Sequence, residues 1–590
     1  MAGRLAQSLH QRVYVELDKT EDSTQVVPPW SLDVKLGNAS SQRCPEGTHI
    51  VDIFDRAEIG GRLLVLGAPG SGKTTMLLQL AEELVKRGQE NAAYPVPVLL
   101  NLSAWKSEFR DIPSWMVSDL KLKYGVRKDI TEKWIEEGRI LPLLDGLDEL
   151  MSQRQETCVQ ALNEFLPTWS GTPLVVCSRL EEYQLYETKL GLSGAVILQP
   201  LTDRQIETYL RRAKCDWLWD AVRDNADVMD ADAGLARSPL LLTLLVLSSD
   251  NLPVELWTQQ ESITERRRIL FEAYIEARLQ RPYRGGANLP ATKQGRKPYE
   301  QDAKTKYWLG WLASQFVWMY KTDFWIEAIQ PYFLDLKPQR FAYGLLSTLF
   351  ICLFLGGLSW TIEGNIFGGL TGICLGLLYV YFVKLFDEFG YINTTNMVEF
   401  SLLVNFDKSK KRLLFFTLKG VTYSFGIGYI FSYIFGFLPF FYVVFQSIFV
   451  FLMGVAYFFM TKINTKKHDN QGVRQAILNS CIFSIIFLLI SILVSLNTND
   501  KNNYTEFFTI IYQGIFLSIL YGAFAGGLLS VIQHLALRIT FWIFGYSPWN
   551  YSKFLHYCTE QGFLQRVGGG YRFVHALLRE HFAKEYGDLE

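Results

Sequence analysis

Between Arg62 and Arg87 the chain reads RLLVLGAPGSGKTTMLLQLAEELVKR, an apolar run, a glycine-rich loop and an amphipathic run in direct succession. The apolar run predicts a buried strand and the amphipathic run a helix. The loop between them fits G-x-x-x-x-G-K-[ST] from Gly67 to Thr74, in the context that motif requires. Gly67, Gly70 and Gly72 let backbone N–H groups turn inward around phosphates at a helix N-terminus, where the dipole also favours anions. Together with Ser71 and Thr75 they form the expected cradle. Lys73 would reach the outer phosphates of ATP or ADP, and Thr74 would ligate Mg2+. The alternative is a glycine loop that only turns a corner.

About seventy residues on, RILPLLDGLDEL (Arg139 to Leu150) is an apolar strand ending in a carboxylate. Asp145 is placed to hold the magnesium. Asp148 and Glu149 follow it closely, where they could orient or deprotonate a water attacking the terminal phosphate, or instead cap the next helix. PLVVCSRLEEY (Pro173 to Tyr183) is a third apolar strand, ending in Ser178 and Arg179. Arg179 would report a third phosphate, or would serve as an ordinary surface ion pair.

A chain of 590 residues is too long for one core and predicts about three to five units on a prior of roughly 100–200 residues each. The 58 basic and 59 acidic residues nearly cancel, so the charge carries no nucleic-acid footprint. Eight cysteines without a CxxC pair indicate neither a disulfide framework nor a zinc site. MAGRLAQSLHQRVYVELDK lacks the apolar run of a signal peptide, which predicts a cytosolic N-terminus.

Hydrophobicity is concentrated between Phe341 and about Phe544, in uncharged stretches at 341–362, 364–383, 420–461, 475–499 and 507–537. The third is long enough for two spans of roughly 20 residues, broken near Gly436 to Pro439. Six membrane helices are therefore expected. Lys384, Lys408, Lys410, Lys411 and Arg412 lie between spans two and three, and Lys462, Lys466, Lys467 and Arg474 between four and five; the opposite loops hold only Lys501. The positive-inside rule then puts both chain ends in the cytosol, in the cell (plasma or inner) membrane. Small residues recur every fourth position in span two (Gly364 to Gly376), span three (Gly420 to Gly436) and span six (Gly514 to Ser530), a spacing suited to close helix packing, unless it reflects only how common glycine is in such helices. No Asp, Glu, Lys or Arg lies inside a span, which speaks against a secondary transporter.

GAPGSGKTT, LLDGLDEL, VVCSRLEEY, LQPLTDRQIETYL and SPLLLTLL in this order resemble the NACHT family of signal-transduction ATPases with numerous domains, bacterial relatives of animal NLR immune receptors. The DGLDE form of the acidic motif is the most specific part. The resemblance covers about Glu46 to Leu334 and again Trp549 to Tyr586. It implies an α/β P-loop NTPase with a parallel sheet and helices on both faces, followed by helical and winged-helix domains. It also implies that Pro239 of SPLLL contacts adenine, where the residues alone allow a helix start. GFLQRVGGGYRFVHALLREHFAKEY, Gly562 to Tyr586, reads as the closing half of a winged helix whose first half resembles Lys306 to Leu334. His575 is thereby implied to touch the inner phosphates of ADP and hold a closed state, where it would otherwise be a core or cap residue.

The organisation expected is an unassigned segment at 1–45, a nucleotide-binding domain at 46–200, a helical domain at 201–255 and the first part of a winged helix at 256–340. An all-α six-span transmembrane insert follows at 341–545, and the closing winged-helix part at 546–590. By resemblance the protein is a slow ATPase used as a switch, homo-oligomeric when activated, in bacterial antiphage defence, with the membrane module as effector or as mere anchor. No recognisable enzyme precedes the core and no leucine-rich, tetratricopeptide or WD-type repeat follows it, so the trigger has no assignment. An ABC-like transporter is the competing class. It needs an LSGGQ-like signature ahead of the second acidic motif, where this chain has only LSGA at Leu192 to Ala195, after it.

Overall fold

The computed structural model describes residues 31–36, 42–45, 48–281, 302–363, 471–498 and 527–587, apart from a few short runs within them, with two short strands and scattered positions between 363 and 471 and at 515 and 519. The chain divides into two compact units, Met1–Phe324 with Asn550–Glu590, and Trp325–Trp549.

The first unit is built on a seven-stranded sheet. In chain order its strands are β1 (Ser31–Leu36), β2 (Gln42–Arg43), β3 (Arg62–Gly67), β4 (Val96–Asn101), β5 (Ile140–Asp145), β6 (Leu174–Arg179) and β7 (Gly194–Gln199). Their order across the sheet is β2-β1-β7-β3-β6-β5-β4. The five strands from β7 to β4 run parallel. Successive residues on a strand point to opposite faces, and both faces of this core are covered. Leu63 and Val65 join Met76, Leu80 and Leu84 of the helix Lys73–Glu90 on one face. Leu64 and Leu66 join Trp115, Leu162 and Val176 on the other. That is why β3, β5 and β6 read as continuous apolar runs without alternation.

At the edge, β1 pairs antiparallel with β7 from Ser31↔Gln199 to Leu36↔Gly194, and β2 pairs with β1. The sheet therefore begins ahead of residue 46, inside the segment left unassigned on sequence. Two short strands, β2 at the edge and β1 next to it, thus extend the parallel core.

Beyond the sheet, helices at Asp203–Arg212, Pro239–Leu247 and Ile263–Gln280 lead to Asp302–Trp318. The chain returns to this unit with Tyr551–Gln561, the hairpin Leu564–Val567 and Gly570–Phe573, and the last helix Ala576–Gly587. The two parts interlock. Tyr307 packs on Tyr586, with ring centroids 5.2 Å apart, and Trp308 on Phe554 at 5.3 Å. Phe324 exchanges both backbone hydrogen bonds with Tyr571, at 2.8 Å each. Glu272 receives Lys306 Nζ at 2.7 Å and lies 3.2 Å from His581 Nε2. Gly310 marks the closest approach: a Cβ there would lie 2.9 Å from the Tyr586 Cβ and 3.1 Å from the Phe582 carbonyl. Gly310→Val is expected to cost about 1–3 kcal/mol by overpacking, read as a lower Tm of the purified protein; an unchanged Tm would refute the tight contact.

The second unit begins at Trp325, so residues 325–340 lie outside the first unit, against the boundary drawn from sequence. His534 Nε2 lies 3.2 Å from the Ile326 carbonyl, and Gln339 bonds the Tyr546 hydroxyl, which ties this segment to the unit's own helices. Those helices are Lys337–Glu363, Gln471–Thr498 and Leu528–Ile543. Ile351, Leu355 and Leu529 form a small shared core. Among the described residues one helix, Lys337–Leu358 within the first of these, is long and apolar enough to cross a membrane, where six were expected along the whole insert. The unit is not all-helical. Val398–Phe400 pairs antiparallel with Met460–Lys462, so the end of the 420–461 stretch is extended backbone. The rest of that stretch, most of 364–383 and 507–526, the glycine ladders of spans two and three, the basic residues from Lys384 to Arg412, Lys466, Lys467 and Lys501 lie outside the described residues. Of the third ladder, the positions from Gly514 to Gly526 lie outside the described residues, whereas Ser530 lies in the helix Leu528–Ile543, which Gly527 opens at φ +89°.

Candidate functional site

Parallel strands deliver their last residues to one edge of a sheet, the edge where open α/β folds bind ligands. Here Gly67 pairs in register with Arg179, and Asn101 with Asp145. The four positions therefore meet at the carboxyl ends of β3, β6, β4 and β5.

Gly70 and Gly72, at φ +78° and +96°, take backbone conformations that a side chain would strain and turn the loop into the helix at Lys73. Lys73 Nζ donates to the carbonyls of Gly67 at 2.7 Å and Ala68 at 3.0 Å. Burial pulls the ammonium below its ordinary pKa, against Asp148, which pulls it up. The Ser71 hydroxyl is buried with no hydrogen-bond partner, an orphan that a phosphate oxygen would satisfy. Thr74 Oγ1 donates to Asp145 Oδ2 at 2.9 Å. These two oxygen donors lie side by side and suit a hard cation such as Mg2+.

Asp148 and Glu149 follow on a 3-10 turn and go to different partners. Asp148 accepts from Arg179 Nε at 2.9 Å and from the Arg179 backbone N–H at 3.1 Å. Burial raises its carboxyl pKa, while Lys73 and Arg179 hold it down. Arg179 is thus engaged on an acid of the same site rather than on the open surface, with Glu182 beside it at 3.3 Å. Glu149 accepts from Asn101 Nδ2 at 3.0 Å. Asn101 itself accepts from the Ser103 N–H at 2.7 Å, which fixes the direction of its amide.

The cavity over this edge, about 200 Å³, is closed by two further pieces of chain. The helix Pro239–Leu247 docks on the loop through Leu240 N–H and the Ser238 hydroxyl, both donating to the Gly70 carbonyl. It brings Pro239 and Thr243 to the wall, which Thr75 also lines. The C-terminal hairpin and last helix bring Arg572, His575 and Arg579. His575 Nδ1 accepts from Leu577 N–H at 3.1 Å. Desolvation first, then Lys73, Arg179 and Arg579, push its pKa down to about 3. The ring is accordingly neutral near pH 7. With Nδ1 accepting, the proton sits on Nε2, so the ring keeps one donor.

All the residues singled out from sequence, except Gly67 and Ser71, line this cavity, and those two belong to the loop that forms its floor. Sequence reading missed Asn101, Arg572 and Arg579. Asn101 carried the signal used for Asp145 and Arg179, an apolar strand ending in a polar residue. Arg572 and Arg579 carried none, because only the return of the chain to the first unit places them here.

A strand, phosphate loop and helix with a lysine, and a Thr–Asp pair made with the end of a parallel strand two places across the sheet and followed by further acids, define a P-loop NTPase. Residues 62–216 match the family model described as NACHT domain, and that part of the chain is a NACHT NTPase domain. Among solved structures, the Aeropyrum pernix ORC1 protein in complex with DNA is similar at 16% identity and a TM-score of 0.23, over 46% of this chain and 69% of that chain, a likeness that carries no argument. No curated protein matches.

Proposed function

We propose that the protein is a membrane-embedded switch of the STAND class whose state is set by ADP or ATP. The observation that carries this reading is the composition of the cavity. Lys73 and Asp145 come from the NTPase core, whereas His575 and Arg579 come from a segment that follows the second unit. A ligand in that cavity binds both parts at once, so the affinity for nucleotide and the closure of the C-terminal segment are linked.

In this reading Lys73 and the loop N–H groups hold the phosphates, Pro239 lies against the adenine, and the Nε2–H of His575 donates to an inner phosphate. Thr74 and Asp145 hold Mg2+, which neutralises charge on the outer phosphates. Glu149, kept in place by Asn101, orients the attacking water, while Asp148 keeps Arg179 at the edge of the site. Residues 302–324 and 550–587 are the two halves of one winged helix. Release of its closing half by ATP exposes surfaces for assembly into a homo-oligomer, and the membrane unit is the effector in antiphage defence. Support for membrane insertion is the exposed stripe Phe341, Leu345, Leu349 and Leu353, four residues apart on the helix Lys337–Glu363. Such a stripe is expected of a lipid-facing helix and costly in water.

Two measurements test this. Purified protein in liposomes is expected to retain a trapped dye with ADP and release it with ATP; equal leakage under both nucleotides would remove the effector role. Glu149→Gln is expected to keep ATP binding and slow hydrolysis about 10²–10⁴-fold, the usual contribution of a positioned base. A parent-like rate would move that role to another group.

A further inference from the structure

We infer that Arg572 reads the third phosphate of a nucleoside triphosphate, and that its ion pair with Asp323 is the bond which triphosphate binding breaks. This rests on the NTPase reading of the cavity and goes beyond it in naming a discriminating group and the segment that answers to it.

Arg572 lines the cavity that holds Lys73, Thr74 and Arg179. Its Nε donates to Asp323 Oδ1 at 2.6 Å, and the two side chains are only 12% and 10% exposed. A guanidinium carries five N–H donors in a planar fork. Among the described contacts only the Nε edge is engaged, which leaves this cavity-lining group further donors for a ligand. Burial opposes the charge on Arg572, but Asp323, with Glu149 and Asp145 beyond it, more than compensates, so the group is a fixed cation. Its position is set by the backbone pair between Phe324 and Tyr571 beside it.

A phosphate oxygen that meets the remaining donors draws the guanidinium toward the cavity and competes with the carboxylate at Nε for its charge and orientation. A diphosphate places less charge at the outer end of the site than a triphosphate, so the competition depends on the third phosphate. The losing partner, Asp323, stands two residues ahead of the second unit, which begins at Trp325. Thr322 beside it meets the Ser103 hydroxyl at 2.9 Å, and Ser103 leads through Asn101 to Glu149. The segment 322–324 is thus held to the hairpin by an ion pair and by the Phe324–Tyr571 backbone pair, and to the core by a polar chain that ends at Glu149. Loss of Arg572 to a phosphate removes the first of these holds.

The plainer reading is a buried clamp that only fastens the hairpin. It is separated by the ratio of ATP to ADP affinity, measured with fluorescent nucleotide analogues and Mg2+ on the full-length protein. Arg572→Gln is expected to weaken ATP on the order of tenfold, the scale of one charge-assisted contact, and to leave ADP nearly unchanged. Asp323→Asn frees the guanidinium and is expected to raise the ratio. Arg572→Lys, which keeps the charge, should recover part of it. The double variant Asp323→Asn with Arg572→Gln leaves no lone buried charge and serves where the single change does not fold; it should show the loss seen for Arg572→Gln. ATP and ADP affinities moving together in these variants, or a ratio unchanged in Asp323→Asn, overturns the proposal. Lys73→Ala should lose both nucleotides, and a parent protein that binds neither refutes the NTPase reading together with this one.

Discussion

Lys73→Ala is expected to abolish nucleotide binding, the largest effect of any single substitution in the site. The ammonium is held at the floor of the cavity by the Gly67 and Ala68 carbonyls, and burial has already removed much of its hydration. Phosphate oxygens would recover that loss through charge-assisted bonds worth about 1.5–3 kcal/mol each. Two such bonds amount to roughly a hundredfold or more in Kd. The variant removes a buried charge, so its fold should survive. Calorimetric titration with MgADP and MgATP checks this, and parent-like affinity would show that the loop does not hold phosphates.

His575→Ala is expected to loosen ADP by about 1–3 kcal/mol, the usual scale of a coupling between two parts of a switch, and to give activity without a trigger. A pH series adds a signature. The ring has a pKa of about 3 in the closed structure and about 6.5 when opened to water. Above about 6.5 it is neutral in both states and contributes no pH dependence. As pH falls below that value the opened chain binds a proton that the closed form refuses, so closure weakens steadily from pH 6.5 downward. Glu272, whose carboxyl is drawn down to about 2 chiefly by His581 and also by Lys306, acts in a separate window, since its effect is lost only below about pH 4.5. ADP release measured between pH 7.5 and 5.5 should therefore quicken in the parent and stay flat in His575→Ala. The same slope in both would make His575 a helix cap and nothing more.

The floor of the cavity was legible in the sequence because its chemistry is local. Gly70, Gly72, Lys73 and Thr74 are consecutive or nearly so, and Asp145 and Arg179 each close an apolar strand. What could not be read depends on strand order and on distant chain. β1 became visible only through its pairing with β2 and β7. Asn101 gained meaning only once β4 lay beside β5. Arg572 needed the hairpin, the return of the chain at Asn550 and the partner Asp323, far apart in sequence. In the second unit, uncharged length predicted helix at Met460 and Thr461, which are strand, because apolar composition alone does not distinguish the two.

The walls of the nucleotide cavity also have an order of arrival. A ribosome delivers Lys73, Asp145, Arg179 and Pro239 first, then all of Trp325–Trp549, and only afterwards Arg572, His575 and Arg579. A nascent chain that has made its ATPase core can fold the sheet, since all seven strands precede Asp203. It cannot close the site until everything in between has been synthesised. Truncation anywhere before the hairpin therefore yields an ATPase core without its closing wall, and completion of the chain is itself a precondition for the complete cavity.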